Sequence, residues 1–186
     1  TGPVVNSYRE PYDEQYDAWL FRRLCDAAVM ALRDCKPLKE MQVYEGILPD
    51  TTFVRRFKMK GGFVQTWANW LDPDIVGYAG PTDESLRFVR VGREGGDEIV
   101  LVNFQCHPDT IGGCKISADW PGLTRRTVEK AIDNTKCIFF NGAQGDVNHV
   151  NVHPKAGDFN DMFNDFDGCS RGYGHAKHMA NVVAGA

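Results

Sequence analysis

Two stretches of this 186-residue chain hold the side chains best suited to chemistry. The first runs from Asn103 to Gly113 and centres on His107, with Cys106, Pro108, Asp109 and Thr110 around it. It follows an apolar run, Glu98 to Phe104, whose length and β-branched content read as a buried strand. His107 therefore stands near the carboxyl end of that strand, where Pro108 and the pair Gly112 and Gly113 force a loop. α/β proteins place ligands and metals at such ends, so His107 is a candidate metal ligand. A histidine that only satisfies hydrogen bonds at a core edge fits the same local pattern, and both readings stay open. The second stretch, Asn141 to Asn151, opens with the small residues Gly142, Ala143 and Gly145 and continues with Asp146, Asn148 and His149. Small residues let backbone approach a ligand closely, and the polar side chains behind them can point into a cleft.

The elements around these loops form one unit. Between them lies a helix expected over roughly Pro121 to Asn134, with Asp119 as its candidate N-cap and Pro121 tolerated in its first turn. Lys136 to Phe140 reads as a second buried strand running into the second loop. Strand, His loop, helix, strand and Gly-rich loop make a βαβ unit. Parallel strands would open both loops on the same edge of the sheet. The fold class is therefore α/β, a mixed β-sheet with flanking helices, at least one βαβ unit, and a site built from loops at strand carboxyl ends. We take residues 1–186 as a single domain, part of a larger one.

Upstream, Asp13 to Asp34 is expected to be a helix whose residues Tyr16, Trp19, Leu20, Leu24, Ala27, Ala28 and Ala31 form one buried stripe. Lys39 to Ile47 reads as a strand, and Thr52 to Met59 with Phe63 to Trp67 as a hairpin turned at Gly61 and Gly62. That hairpin carries Arg55 and Arg56, which can fork onto an anionic or carbonyl oxygen or simply be solvated. A long connection, Asn69 to Ser85, precedes a second hairpin of Leu86 to Val91 with Glu98 to Phe104. Near the C-terminus, His175 and His178 stand three apart on an amphipathic helix and are expected at the surface. Asp158 to Asp167 reads as an acidic loop lacking the Gly and terminal Glu of an EF-hand.

Composition narrows the function classes. With 42% hydrophobic and 25% charged residues the chain is globular, and a net charge of −4 without a basic stripe argues against nucleic acid. No apolar run approaches the ~20 residues of a membrane span. We expect a soluble protein, with secretion or a periplasmic location left open. Six cysteines show no zinc-finger spacing. Cys25 and Cys137 read as core residues, whereas Cys106 and Cys114, flanking the His107 loop, could be a disulfide or free thiols.

The two stretches carry a resemblance. The Phe-x-x-His segment ending at His107, the segment Ile116 to Asp119 with Gly122, and Asn141 to Asn148 together resemble the catalytic domain of the neutral/alkaline, non-lysosomal ceramidase family. The likeness runs from Thr1 to about Val152. It implies hydrolysis of a ceramide-like amide with a catalytic zinc held by two histidines, a glutamate and a tyrosine. His107 matches one of those histidines. The other belongs to a family segment Thr-His-x-His-x-Gly-Pro, of which this chain would retain Thr1, Gly2 and Pro3. The remaining ligands are expected beyond residue 186, so the missing remainder of its own polypeptide is an expected partner. Arg55 resembles the arginine that binds near the scissile carbonyl, with Arg56 as the alternative.

One departure matters. The family carries a proposed nucleophilic serine in a Gly-Asp-x-Ser segment, and here Asn148 stands in its place. An amide cannot do that work. The expectation is a zinc-dependent hydrolase of an N-acyl amphiphile or lipid using metal-activated water. Asp146 or His149 would be the base, with His149 an extra ligand, an oxyanion donor or a structural residue as alternatives. A non-catalytic metal-site relative that binds lipid or glycan, and a purely structural domain, remain the competing readings.

Overall fold

The computed structural model describes residues 14–66, 72–112, 116–152 and 172–186. Expectations for Thr1, Gly2 and Pro3, the hairpin end at Trp67, Cys114 and the acidic stretch from Asp158 to Asp167 lie outside them. In chain order the elements are α1 (Glu14–Arg33), β1 (Leu38–Ile47), β2 (Phe53–Val54), β3 (Arg56–Met59), β4 (Val64–Thr66), β5 (Ile75–Tyr78), β6 (Ser85–Arg93), β7 (Glu98–Phe104), α2 (Asp119–Ala131), β8 (Thr135–Asn141), β9 (Val147–Asn148) and α3 (Tyr173–Gly185). Contacts divide the chain into two units, Thr1–Pro37 and Leu38–Ala186.

The first unit holds α1. Glu14 and Asp17 in its first turn and Arg33 in its last complement the helix dipole, so the expected helix forms almost to its expected bounds. The expected buried stripe does not. No residue of α1 is buried, and Trp19 and Leu24 are 52% and 61% exposed. Periodicity ensures that these residues share a face, but nothing in a helix's own sequence supplies the surface that covers it. Cys25, expected in the core, is exposed for the same reason.

The second unit is built on a mixed four-stranded sheet in the order β1-β6-β7-β8. β1 pairs with β6 and β6 with β7 antiparallel, and β7 pairs with β8 in parallel. Along β7, Val100, Val102 and Phe104 are buried and the residues between them half-buried, the alternation a pleated strand requires. α2 presents Trp120, Thr124 and Val128, and α3 presents His175, Ala176, Met179, Ala180 and Val183. These faces close over β7 and β8 in one core with Phe104, Cys106 and Cys137. Trp120 is its largest wholly buried side chain, set edge-on to Phe104 and Phe139. Burying a residue of this size is worth roughly 2–3 kcal/mol, enough to fix where α2 begins. No described helix is long and apolar enough to cross a membrane.

The expected first hairpin splits. Its second half holds as β3 and β4, turned where Gly62 takes φ 79°. Its first half, β2, leaves the hairpin to pair with β9, Phe53 opposite Asn148 and Val54 opposite Val147. β3 instead gains β5 on its other side, around Phe57, Met59, Ile75, Tyr78 and Val152. β5 lies within the long connection expected from Asn69 to Ser85.

Candidate active site

The parallel register sets the site. Phe104 stands opposite Asn141, so β7 and β8 end level and both loops leave from one edge of the sheet. Gly142 N–H then donates to Phe104 O. A Cβ at Gly142 would overlap Gln105 Oε1, so only glycine lets the second loop pass that closely. Asn141 Nδ2 donates to Cys106 O at 3.1 Å and also to Gln144 Oε1, tying the loops together at their roots.

His107 is held at three points by its neighbours. Its N–H donates to Val147 O at 2.9 Å, its carbonyl accepts from Trp120 Nε1 at 3.3 Å, and its Nδ1 lies 3.0 Å from Gln144 O. A carbonyl only accepts, so Nδ1 carries the proton and the Nε2 lone pair is the one available to a metal or a proton. The ring is half-buried. A histidine whose other nitrogen donates to a carbonyl is the usual form of a metal ligand, and the donor chemistry at His107 fits zinc. Among the described residues no group of three or more His, Cys, Asp or Glu could hold a metal ion.

The second loop reaches the hairpin through the β2–β9 pair. Arg55 N–H donates to Asp146 O at 3.0 Å, and Arg56 Nε and Nη2 both lie 2.6 Å from Asp146 Oδ2. Asp146 pushes the Arg56 guanidinium up from its ordinary pKa, mainly through that hydrogen bond. Arg56 is exposed, whereas Arg55 sits half-buried at the bend between β2 and β3. Asn148 is 3% exposed, and its Oδ1 accepts the Val150 N–H at 2.9 Å, an Asx turn.

His149 is wholly buried, with Nδ1 3.2 Å from Asp109 Oδ1. Its ring packs on His175, centroids 4.4 Å apart, and His175 in turn neighbours His178 at 5.9 Å. The expectation that His175 and His178 form a surface pair is therefore corrected. His175 is wholly buried and His178 half-buried. His175, Met179 and Val183 are spaced by four, so His175 belongs to the apolar face of α3, and that spacing could have placed it.

Sequence reasoning also missed Gln144 and Trp120, whose contributions to His107 come through a backbone carbonyl and an indole N–H. Asp119 behaves differently from the expected cap. The N-cap position is Ala118, which makes no side-chain cap bond, and Asp119 begins the helix at φ 53°. Cys106 is a free buried thiol, pushed well above its ordinary pKa by burial, with Asp109 and Asp119 adding to the effect.

No protein-family model matches this chain, and no curated protein matches it. Among solved structures, a ceramidase complexed with C2 aligns with a TM-score of 0.53 at 15% sequence identity, over 81% of this chain and 21% of the other. The chain thus spans about a fifth of that protein's length. At this identity the likeness is one of fold, and the chain has a ceramidase-like fold.

Proposed function

We propose that this chain forms part of the active site of a zinc-dependent hydrolase that cleaves the amide of an N-acyl, ceramide-like amphiphile. The observation carrying this reading is His107, set beside the ends of two parallel strands with its Nδ1–H directed at Gln144 O. The ceramidase-like fold supports it. His107 would hold the metal through Nε2, and the other donors would come from outside the described residues. Zinc bound there would supply Lewis acidity at the scissile carbonyl and a water of lowered pKa.

The chain's own groups take the remaining roles. Arg55 would orient the substrate carbonyl. Asp146 is the more solvent-exposed of the two carboxylates beside the loops, its side chain 39% exposed against 25% for Asp109, and would receive a proton from water. Arg56 steadies it. Asn148 and His149, both buried, would shape the loop from behind, His149 through Asp109.

A second reading has its own observation. Asn148, standing where the family's serine would be, commits its side-chain oxygen to Val150 N–H. A relative that binds a lipid or glycan without turning it over fits that. Elemental analysis of purified wild type and His107→Ala, followed by assay on short-chain N-acyl amphiphiles, separates the readings. Stoichiometric zinc that disappears in the variant, with amine release by wild type, is the expected result. Zinc without amide cleavage favours the binding reading. A full-length protein with no zinc overturns both.

A further inference from the structure

We infer that Asp119 is a positioning residue for the His107 loop, its carboxylate acting as a clamp that pins Thr110 and Ile111 to the start of α2. What the clamp serves rests on the function proposed for His107. That the clamp exists rests on geometry alone.

Asp119 is 7% exposed, and its two oxygens accept three hydrogen bonds. Oδ1 takes the Thr110 hydroxyl at 2.6 Å and the Trp120 N–H at 2.7 Å, and Oδ2 takes the Ile111 N–H at 2.7 Å. Two of the three donors belong to the loop. Only one of its bonds, to the adjacent Trp120 N–H, stays within its own helix, whereas a capping side chain turns wholly to its helix's first amides. The backbone gives an independent indication. Asp119 adopts φ 53°, a left-handed conformation that costs a non-glycine residue about 1–2 kcal/mol. Such strain persists only where surrounding contacts over-determine it. Here the turn aims the carboxylate away from the helix and at the loop, and Ser117 Oγ accepts Asp119 N–H at 3.0 Å.

The clamp works with its neighbour. Trp120, locked in the core, donates Nε1–H to His107 O, so two successive residues of α2 hold the loop at His107 and at Thr110 with Ile111. Thr110, itself wholly buried, passes the restraint on by accepting Gly172 N–H at 2.6 Å, just before α3. Gly122 completes the turn, since a Cβ there would overlap Ala118 Cβ.

A carboxylate is required because both oxygens face donors. Asp119→Asn keeps the size and the tolerance for a left-handed backbone, yet its single oxygen keeps more bonds where Oδ1 meets Thr110 and Trp120, which turns the NH2 group toward the Ile111 N–H. One N–H donor then loses its acceptor. The test compares the full chain as wild type, Asp119→Asn, Thr110→Val and the double variant. Readouts are amide exchange at Ile111 and Val102, the 15N signals of the His107 ring, and zinc affinity by chelator competition. In Asp119→Asn, Ile111 exchange should rise while Val102 stays protected, the Nδ1–H signature of His107 should broaden, and zinc affinity should fall roughly 10- to 100-fold. Thr110→Val should move the same signals less, and the two changes should be non-additive. If Asp119→Asn fails to fold, Thr110→Val alone carries the comparison. Unchanged Ile111 exchange and an unchanged His107 ring would overturn the clamp. Changes that appear only in step with exchange at Val102 would also overturn it. A wild type that takes no zinc, yet shows the exchange and ring effects, would sink the proposed function and leave the clamp standing.

Discussion

Gly142→Ala offers a direct test of how closely the two loops are fitted. The new Cβ would overlap Gln105 Oε1 and come within 3.0 Å of Gln105 Cβ. A flexible side chain would ordinarily swing aside. Gln105 is only 2% exposed, however, and its Nε2 donates to Asp83 O at 2.9 Å and Ser85 O at 2.6 Å. Moving it forfeits both bonds, at about 1 kcal/mol each and more where a carbonyl is left buried and bare. Keeping them means shifting backbone in a packed region, about 1–3 kcal/mol. Either way the substitution should cost about 2–4 kcal/mol, a sizeable part of the ~5–15 kcal/mol typical of a domain. Urea denaturation of wild type, Gly142→Ala, Gln105→Ala and the double variant closes the cycle. The penalty of Gly142→Ala should fall clearly once Gln105 is truncated, leaving only the 3.0 Å approach to the retained Cβ. A cost below ~0.5 kcal/mol in wild type, or an equal cost in both backgrounds, would refute the fitted contact.

Three further outcomes are expected. Trp120→Phe keeps an aromatic ring but removes the Nε1–H bond to His107 O; it should cost about 1–3 kcal/mol by denaturation and speed exchange at His107. Arg56→Ala removes an ion pair whose side chains are 48% and 39% exposed; it should change stability by less than ~1 kcal/mol, and less still in high salt, so a loss above ~2 kcal/mol at any salt would contradict the screened geometry. The thiols Cys25 and Cys35 are exposed while Cys106 and Cys137 are buried, so a thiol reagent on native protein should label the first pair and reach the second only on unfolding. Burial raises the Cys137 thiol from 9.0 to about 11. The unfolded thiol ionises first, so its contribution to stability is intact below pH ~9 and lost as pH rises toward 11. Denaturation midpoints across that range should fall less steeply in Cys137→Ala.

How much of this was legible in the sequence depends on how local each feature is. The βαβ unit was readable because apolar run, loop and helix follow one another in the chain, and β7, α2 and β8 appear within three residues of expectation. The β2–β9 pair was not, because Thr52 to Met59 reads as one strand and nothing in it marks Phe53 and Val54 as partners of residues far downstream. The exposed face of α1 shows the converse limit, since periodicity there was right and covering was not. His175 was legible and misread: its place in the four-residue spacing of Met179 and Val183 outweighs the polarity of its ring.

The two-residue pair of β2 and β9 decides which residues can share a site. It sets Phe53 against Asn148, which puts Arg55 N–H on Asp146 O and lets Arg56 fold onto the Asp146 carboxylate. His107 N–H takes Val147 O on the same short strand. Strand-end loop, Gly-rich loop and arginine segment thus converge on Asp146 and Val147, each through a backbone carbonyl. Carbonyls are present whatever the side chain, so this convergence leaves no signature in residue identity. Side chains add to it, among them His107, whose Nδ1 faces Gln144 O, and Arg56, which binds Asp146. Motif reading therefore finds His107 and Asp146 but cannot show that they belong together. Register shows it: a slip of one residue between β2 and β9 would turn every side chain of the pair to the other face and separate Arg56 from Asp146.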